Sequence, residues 1–262
     1  MKIAVLNTSG NVGKSTVSRE LLYSRLDNPF LVEVESVNSS SSAFRLDSAK
    51  YYGDADFTIF YEFLVEDRDV IFDLGASEIV NFFTNSEDFD GAIDLFDYFL
   101  VVCKADSKIM EDTVKTINFL RSQEISDDKI KVIFNEVRRD VKSEFAPIFN
   151  FDFPFDENLF IKNSSVIKDC SLLKTTFFNA YNADKNYYRD LMKNAENAIE
   201  KKKFLKMDLI NRAATKKIQE FDFLFSSAFN ENFETDLSKS VSKAPKIAPT
   251  APTKNEVEDE DL

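Results

Sequence analysis

Histidine is absent from all 262 residues. Its absence removes Ser-His and Cys-His nucleophilic catalysis and every zinc site that uses histidine. Chemistry that runs on Lys, Ser/Thr, Asp and backbone donors survives. Cysteine is scarce: Cys103 and Cys170 lie far apart and form no C-x-x-C pair. Cys103 falls in an apolar run that reads as core, and a reducing cytoplasm fits this usage. No stretch approaches the roughly 18 uninterrupted apolar residues of a membrane span. Lys2 is followed by only four apolar residues, so no signal region is expected either. Positive charge is outnumbered, with 33 Lys and Arg against 46 Asp and Glu for a net charge of −13. That balance argues against a chain that coats nucleic acid non-specifically. Only five glycines occur, and two of them, Gly10 and Gly13, fall in one short loop.

What is present is core material. Hydrophobic residues make up 44% of the chain and include 27 phenylalanines, enough for one α/β domain with a large core plus appendages. The chain is organised around residues 1–16. Ile3, Ala4, Val5 and Leu6 form an apolar run of strand length. Asn7, Thr8, Ser9, Gly10 and Asn11 make a turn-rich loop, Val12-Gly13-Lys14-Ser15-Thr16 follows, and a helical pattern opens with Val17, Leu21 and Leu22. Strand, glycine loop, Gly-Lys-Ser, helix is the order a phosphate-binding loop requires. Gly10 and Gly13 would turn the backbone and expose N–H groups, and the helix start adds donors and the positive end of its dipole. Lys14 would place an ammonium on the outer phosphates, and Ser15 would offer its hydroxyl to Mg²⁺. Phosphoryl transfer is a chemistry that tolerates a chain without histidine. The full Walker pattern asks for glycine at position 8, where this chain has Thr8.

The loop resembles the deviant Walker motif of the ParA/MinD family of ATPases, Lys-Gly-Gly-x-Gly-Lys-[Ser/Thr]-Thr. The corresponding residues are Ser9-Gly10-Asn11-Val12-Gly13-Lys14-Ser15-Thr16, and five of the seven specified positions agree. Asn11 replaces the second glycine and Ser9 replaces the signature lysine. Within the family, the run Ser-Gly-Asn-Val-Gly-Lys is most similar to the StbB-like plasmid-stability branch.

Further along, Phe30 to Glu35 reads as a second strand running into a polar loop, Ser36 to Ser42. Its acidic end falls where the family carries Asp-x-Asp-Pro-Gln, so the resemblance makes Glu35 the residue that orients the attacking water. Phe57 to Val65 is helical. Val70-Ile71-Phe72-Asp73-Leu74-Gly75 describes a buried strand delivering a carboxylate to its C-terminal edge. Asp73 is therefore the Walker B candidate, holding Mg²⁺ through water together with Ser15. Tyr98 to Cys103 and Ile130 to Phe134 are further strands, separated by a helix whose cap is read as Ser107. Asn135, in Val132-Ile133-Phe134-Asn135-Glu136-Val137, matches the family's adenine-contacting asparagine apart from Glu136. Leu159 to Ile161 reads as a last strand, and Ser164-Ser165 as the start of another helix.

The charge is uneven. Residues 54–97 hold thirteen acidic side chains and one basic one, whereas residues 185–221 hold ten basic and five acidic. The second segment lies in a helical pattern from Tyr187 to Phe229, in which Asn211 and other polar residues suggest one break or two packed helices. Beyond Ser238 a Pro-, Lys- and Ala-rich run and an acidic end read as a disordered tail.

The sequence thus predicts a doubly wound α/β domain with a mainly parallel sheet over residues 1–180, a helical extension at 181–237 and a tail at 238–262. The expected activity is that of a cytoplasmic, Mg²⁺-dependent, ATP-binding nucleotide switch with catalytic Lys14, Glu35 and Asp73. The resemblance implies a role in the stability, positioning or transfer of a plasmid or mobile element, a partner protein of such a system and a nucleotide-dependent homodimer. Direct DNA binding is disfavoured by charge, while peripheral membrane contact through the basic segment stays open. Three alternatives also stand: a regulatory scaffold that binds nucleotide with little or no hydrolysis, a small-molecule kinase or ligase on the same fold, and a nucleotide-independent scaffold.

Overall fold

Five-residue runs that are apolar on both faces can be satisfied only inside a covered parallel sheet. The computed structural model, which describes residues 1–35, 41–184, 186–230 and 233, builds that sheet from seven strands. They are β1 (Lys2–Leu6), β2 (Phe30–Val34), β3 (Ser48–Tyr51), β4 (Val70–Leu74), β5 (Tyr98–Lys104), β6 (Ile130–Val137) and β7 (Phe160–Lys162). All neighbours pair in parallel, in the order β3-β2-β4-β1-β5-β6-β7. β1 lies between β4 and β5, where the chain passes from one half of the sheet to the other. Ligands of open α/β sheets bind at the carboxyl ends of the strands flanking such a point.

The helices are α1 (Lys14–Thr16), which continues as a π-helical run over Val17–Tyr23, α2 (Phe57–Val65), α3 (Ile79–Ser86), α4 (Ser107–Ser122), α5 (Val141–Glu144), α6 (Ser165–Leu172), α7 (Phe177–Tyr181), α8 (Tyr187–Lys193) and α9 (Ala198–Phe229). Alternation along the strands divides the core. Ala4, Leu6 and Phe72 face a cluster completed by Phe57 and Phe60 of α2 and by Phe82 and Phe83 of α3. Ile3, Val5 and Ile71 face the opposite cluster, with Leu21 and Leu22 after the loop and Ile210, Ile218 and Phe225 of α9.

The structure adds one strand to those expected and revises two readings. β3 has no apolar run, because its Ser-Ala-Lys-Tyr strand is only half-buried at the sheet edge. Asp106, rather than Ser107, caps α4 by accepting from Ile109 N. The basic helical segment breaks between α8 and α9, where the Asn197 side chain accepts from Glu200 N. Asn211 is no break: it is buried within α9 and donates to the carbonyls of Ala180 and Ala183. Residues 36–40 of the polar loop and the tail at 238–262 lie outside the described residues. Among the described residues no helix is long and apolar enough to cross a membrane.

Candidate nucleotide site

β1 delivers the loop to the carboxyl edge, and Asn7 fixes its entrance. The Asn7 amide donates to Val102 O and Thr113 Oγ1, both at 2.9 Å, while its oxygen accepts from Ser9 N at 2.7 Å. The loop thereby hangs from β5 and α4 before it turns. The turn uses left-handed backbone at Asn11 (φ 56) and Gly13 (φ 102). The Gly13 carbonyl then accepts from Thr16 N at 3.0 Å and Val17 N at 3.1 Å, starting α1. Gly10 has no such constraint: its φ is not positive and a Cβ there would meet nothing within 4 Å.

Lys14 is buried, and its Nζ donates back to the carbonyls of Ser9 at 2.9 Å and Asn7 at 3.1 Å. Burial lowers its pKa, opposed by Asp73 and Glu35. The loop is therefore wrapped around its own ammonium. Ser15, one residue on, lies near enough to Asp73 to favour its charged form. Asp73 stands near the end of β4 in register with Val5 of β1 and Glu33 of β2. Burial pushes its carboxyl up to about 6, outweighing Ser15, Lys14 and Arg19, and Glu33 adds to the rise. A hydroxyl, one carboxylate and phosphate oxygens form a donor set that suits Mg²⁺, which retains waters and needs few protein ligands.

Glu35 follows β2, and its carboxylate lies against Gly75, where a Cβ would stand 2.6 Å from Glu35 Oε2. Gly75 N donates to Val34 O at 2.7 Å. The ends of β2 and β4 are thus locked together, with no room for a side chain at residue 75. Asn135, from β6, reaches the loop itself: Nδ2 donates to Val12 O at 2.8 Å and Oδ1 accepts from Glu136 N at 2.9 Å. Ser9 faces away from these groups, its Oγ donating to Asp112 Oδ2 of α4 at 2.7 Å.

A cavity of about 620 Å³ joins these parts. The whole stretch from Gly10 to Thr16 lines it, as do Glu35 and Asn135. Four charged residues that sequence reasoning gave no role also line it: Lys104, Glu136, Lys162 and Lys168. Glu136 sits at φ 60 beside a register irregularity between β6 and β7. Its carboxylate is 2.9 Å from Lys104 Nζ and 3.7 Å from Lys168 Nζ. Burial alone would raise the Glu136 carboxyl, but these lysines hold it below its usual range. Arg19 was also illegible in the sequence. It is buried over the Phe44 ring at 4.1 Å, with its charge facing Asp73, Glu20 and Glu33. Only its spacing from Lys14 along the helix could have signalled it.

An all-parallel doubly wound sheet with a glycine loop wrapped around Lys14 at its switch point has the fold of the ParA/MinD P-loop ATPases. Among solved structures, the chain is similar to a plasmid partition protein of Borrelia burgdorferi B31 bound to AMPPNP, with 14% identity, a TM-score of 0.50, and coverage of 80% of this chain and 97% of that one. It is also similar to the septum site-determining protein MinD of Pyrococcus horikoshii complexed with Mg-ADP, with 15% identity, a TM-score of 0.45, and coverage of 82% and 98%. At such identities the likeness is one of fold. No family model matches the chain, and no curated protein matches it.

Proposed function

We propose that the protein is a Mg-ATP-binding nucleotide switch of the ParA/MinD type, acting through a partner protein in the stability or transfer of a plasmid or mobile element. The observation that carries this reading is Lys14 held by its own loop, in a cavity that the whole stretch from Gly10 to Thr16 lines, with Ser15 near the Asp73 carboxyl. When bound, Mg²⁺ would supply charge neutralisation at the phosphates. Lys14 would hold the outer phosphates, Ser15 and Asp73 the ion, Glu35 the attacking water, and Asn135 the base end of the site through its tie to Val12. Nucleotide would set the state of a homodimer. Lys14→Ala tests the reading, since loss of a charge-assisted phosphate contact should cost about 1.5–3 kcal/mol of Mg-ATP affinity. Unchanged affinity in a folded variant removes it.

A second reading, binding with little turnover, is favoured by Ser9. Where the family has a lysine, this chain has a hydroxyl committed to Asp112. A turnover assay on protein saturated with Mg-ATP separates the two.

A further inference from the structure

The basic and acidic segments of this chain lie on opposite faces of the sheet. α9 packs in the cluster that contains Ile3, Val5 and the helix after the loop, whereas α2 and α3 pack in the cluster that contains Ala4, Leu6 and Phe72. The two surfaces of one molecule are therefore separated by the sheet itself.

Each surface combines one sign of charge with exposed apolar side chains. On α9 the outward positions recur at alternating steps of three and four: Lys202, Leu205, Leu209, Arg212, Lys216, Gln219 and Phe223. That is one continuous stripe along a helix. Leu205 and Leu209 are exposed, and Phe223 is 66% exposed. At its lower end the stripe borders a groove of about 390 Å³, formed with Phe160 and Ile161 of β7 and Ile167 of α6. Across the sheet, Tyr61, Glu62 and Val65 of α2 and Glu66 just beyond its end are exposed, Val65 to 56%. The Tyr61 ring lies 6.4 Å from that of Phe89, which brings exposed Asp88 and Asp90 beside the same patch.

We propose that the α9 stripe of one molecule docks on the α2 patch of a second copy. Charge decides the occupant. Two α9 stripes would oppose lysine to lysine, and two α2 patches glutamate to glutamate, while stripe against patch matches sign and offers each set of apolar residues a partner. The groove favours a shaped surface with protruding side chains over a flat bilayer. Because the contact joins different surfaces on the two copies, it is heterologous, leaves one free stripe and one free patch at the ends, and propagates head to tail.

Sedimentation velocity of the full chain without nucleotide tests this independently of the nucleotide reading. Self-association should rise with protein concentration and weaken along a salt series from about 0.01 M to about 1 M, as the Debye length falls from about 30 Å to about 3 Å. Lys202→Gln/Leu209→Ser/Lys216→Gln should be monomeric, and so should Glu62→Gln/Val65→Ser/Glu66→Gln. An equal mixture of the two should form 1:1 heterodimers and nothing larger, since one intact stripe then meets one intact patch. Lys202→Gln/Lys216→Gln, which keeps the apolar residues, carries the same expectation at reduced size if the triple variant does not fold. A wild type that stays monomeric throughout overturns the proposal. So does either folded variant associating as strongly as wild type.

Discussion

A side chain at Gly13 would put its Cβ 2.2 Å from Asn135 Nδ2, on a backbone at φ 102. At Gly10 the same atom would meet nothing within 4 Å. Gly13→Ala is therefore expected to cost about 1–3 kcal/mol of stability, through strain and the displaced Asn135 amide. Gly10→Ala should melt within about 0.5 kcal/mol of wild type. Urea denaturation checks both. A loss of nucleotide affinity in the well-folded Gly10→Ala variant would then place a phosphate against that open N–H. Asp73 offers the complementary case, a residue whose chemistry works against the fold. Its carboxyl ionises at about 6 instead of 3.8 because burial penalises the charge. The stability that this group contributes is fully present below about pH 4 and is lost as pH rises through about 6. At pH 7, Asp73→Asn should thus stabilise the protein without nucleotide, by up to about 3 kcal/mol before any loss at Arg19. The same change should weaken Mg²⁺-dependent nucleotide binding. Thermal melts and binding with and without Mg²⁺ measure the two effects, and equal melts for both proteins at pH 7 would show that the burial penalty is not felt.

At the scale of elements, α4 governs what the loop can do. Its Asp112 accepts from Ser9 Oγ, and Thr8 is bound to the same helix turn through Thr116. Ser9→Lys would restore a cation at the family position, but it must first give up the tie to Asp112. It should raise hydrolysis or ATP-dependent dimerisation, by supplying positive charge where the phosphate leaves. No change in either would show that this chain works without that charge. The same elements mark where sequence patterns stop being informative. β1, β4, β5 and β6 were legible because strands covered on both faces must be apolar throughout. β3 was not, since an edge strand carrying Ser48 and Lys50 has no such pattern. The π-helical turns after Thr16 leave no distinct period in the apolar residues. Asn211 misled because a polar residue in an apolar stripe can mark a break or a tether, and only its contacts with Ala180 and Ala183 distinguish them. The cavity lining from residue 10 to residue 16 is contiguous in the sequence, so its spacing could be read there. Lys104, Glu136, Lys162 and Lys168 were not legible, because they meet from separate elements with no short-range spacing to reveal them.

Across the whole molecule, the segment before β2 and the helix that closes the chain's described part are joined by a buried ion pair. Arg25 NH2 lies 2.8 Å from Asp222 Oδ1, with the two side chains 1% and 8% exposed. Arg25 also donates to the carbonyls of Glu20, Leu21 and Ile218. Around it, Leu21, Leu22, Phe221 and Phe225 share one apolar cluster. A helix attached in this way is part of the fold that carries the nucleotide loop. Asp222→Ala would leave the buried guanidinium with carbonyls and the neighbouring Glu20 carboxyl but without its ion-pair partner, and breaking one side of such a pair typically costs about 3–5 kcal/mol. Because α9 and the loop helix share the cluster, that loss should appear as a lower midpoint in a single cooperative transition. Arg25→Met combined with Asp222→Leu removes both charges and should cost less than Asp222→Ala. Chemical denaturation followed by circular dichroism and by nucleotide binding checks the expectation. Two separate transitions, or an Asp222→Ala midpoint equal to wild type, would instead make α9 an appendage that the nucleotide-binding sheet can fold without.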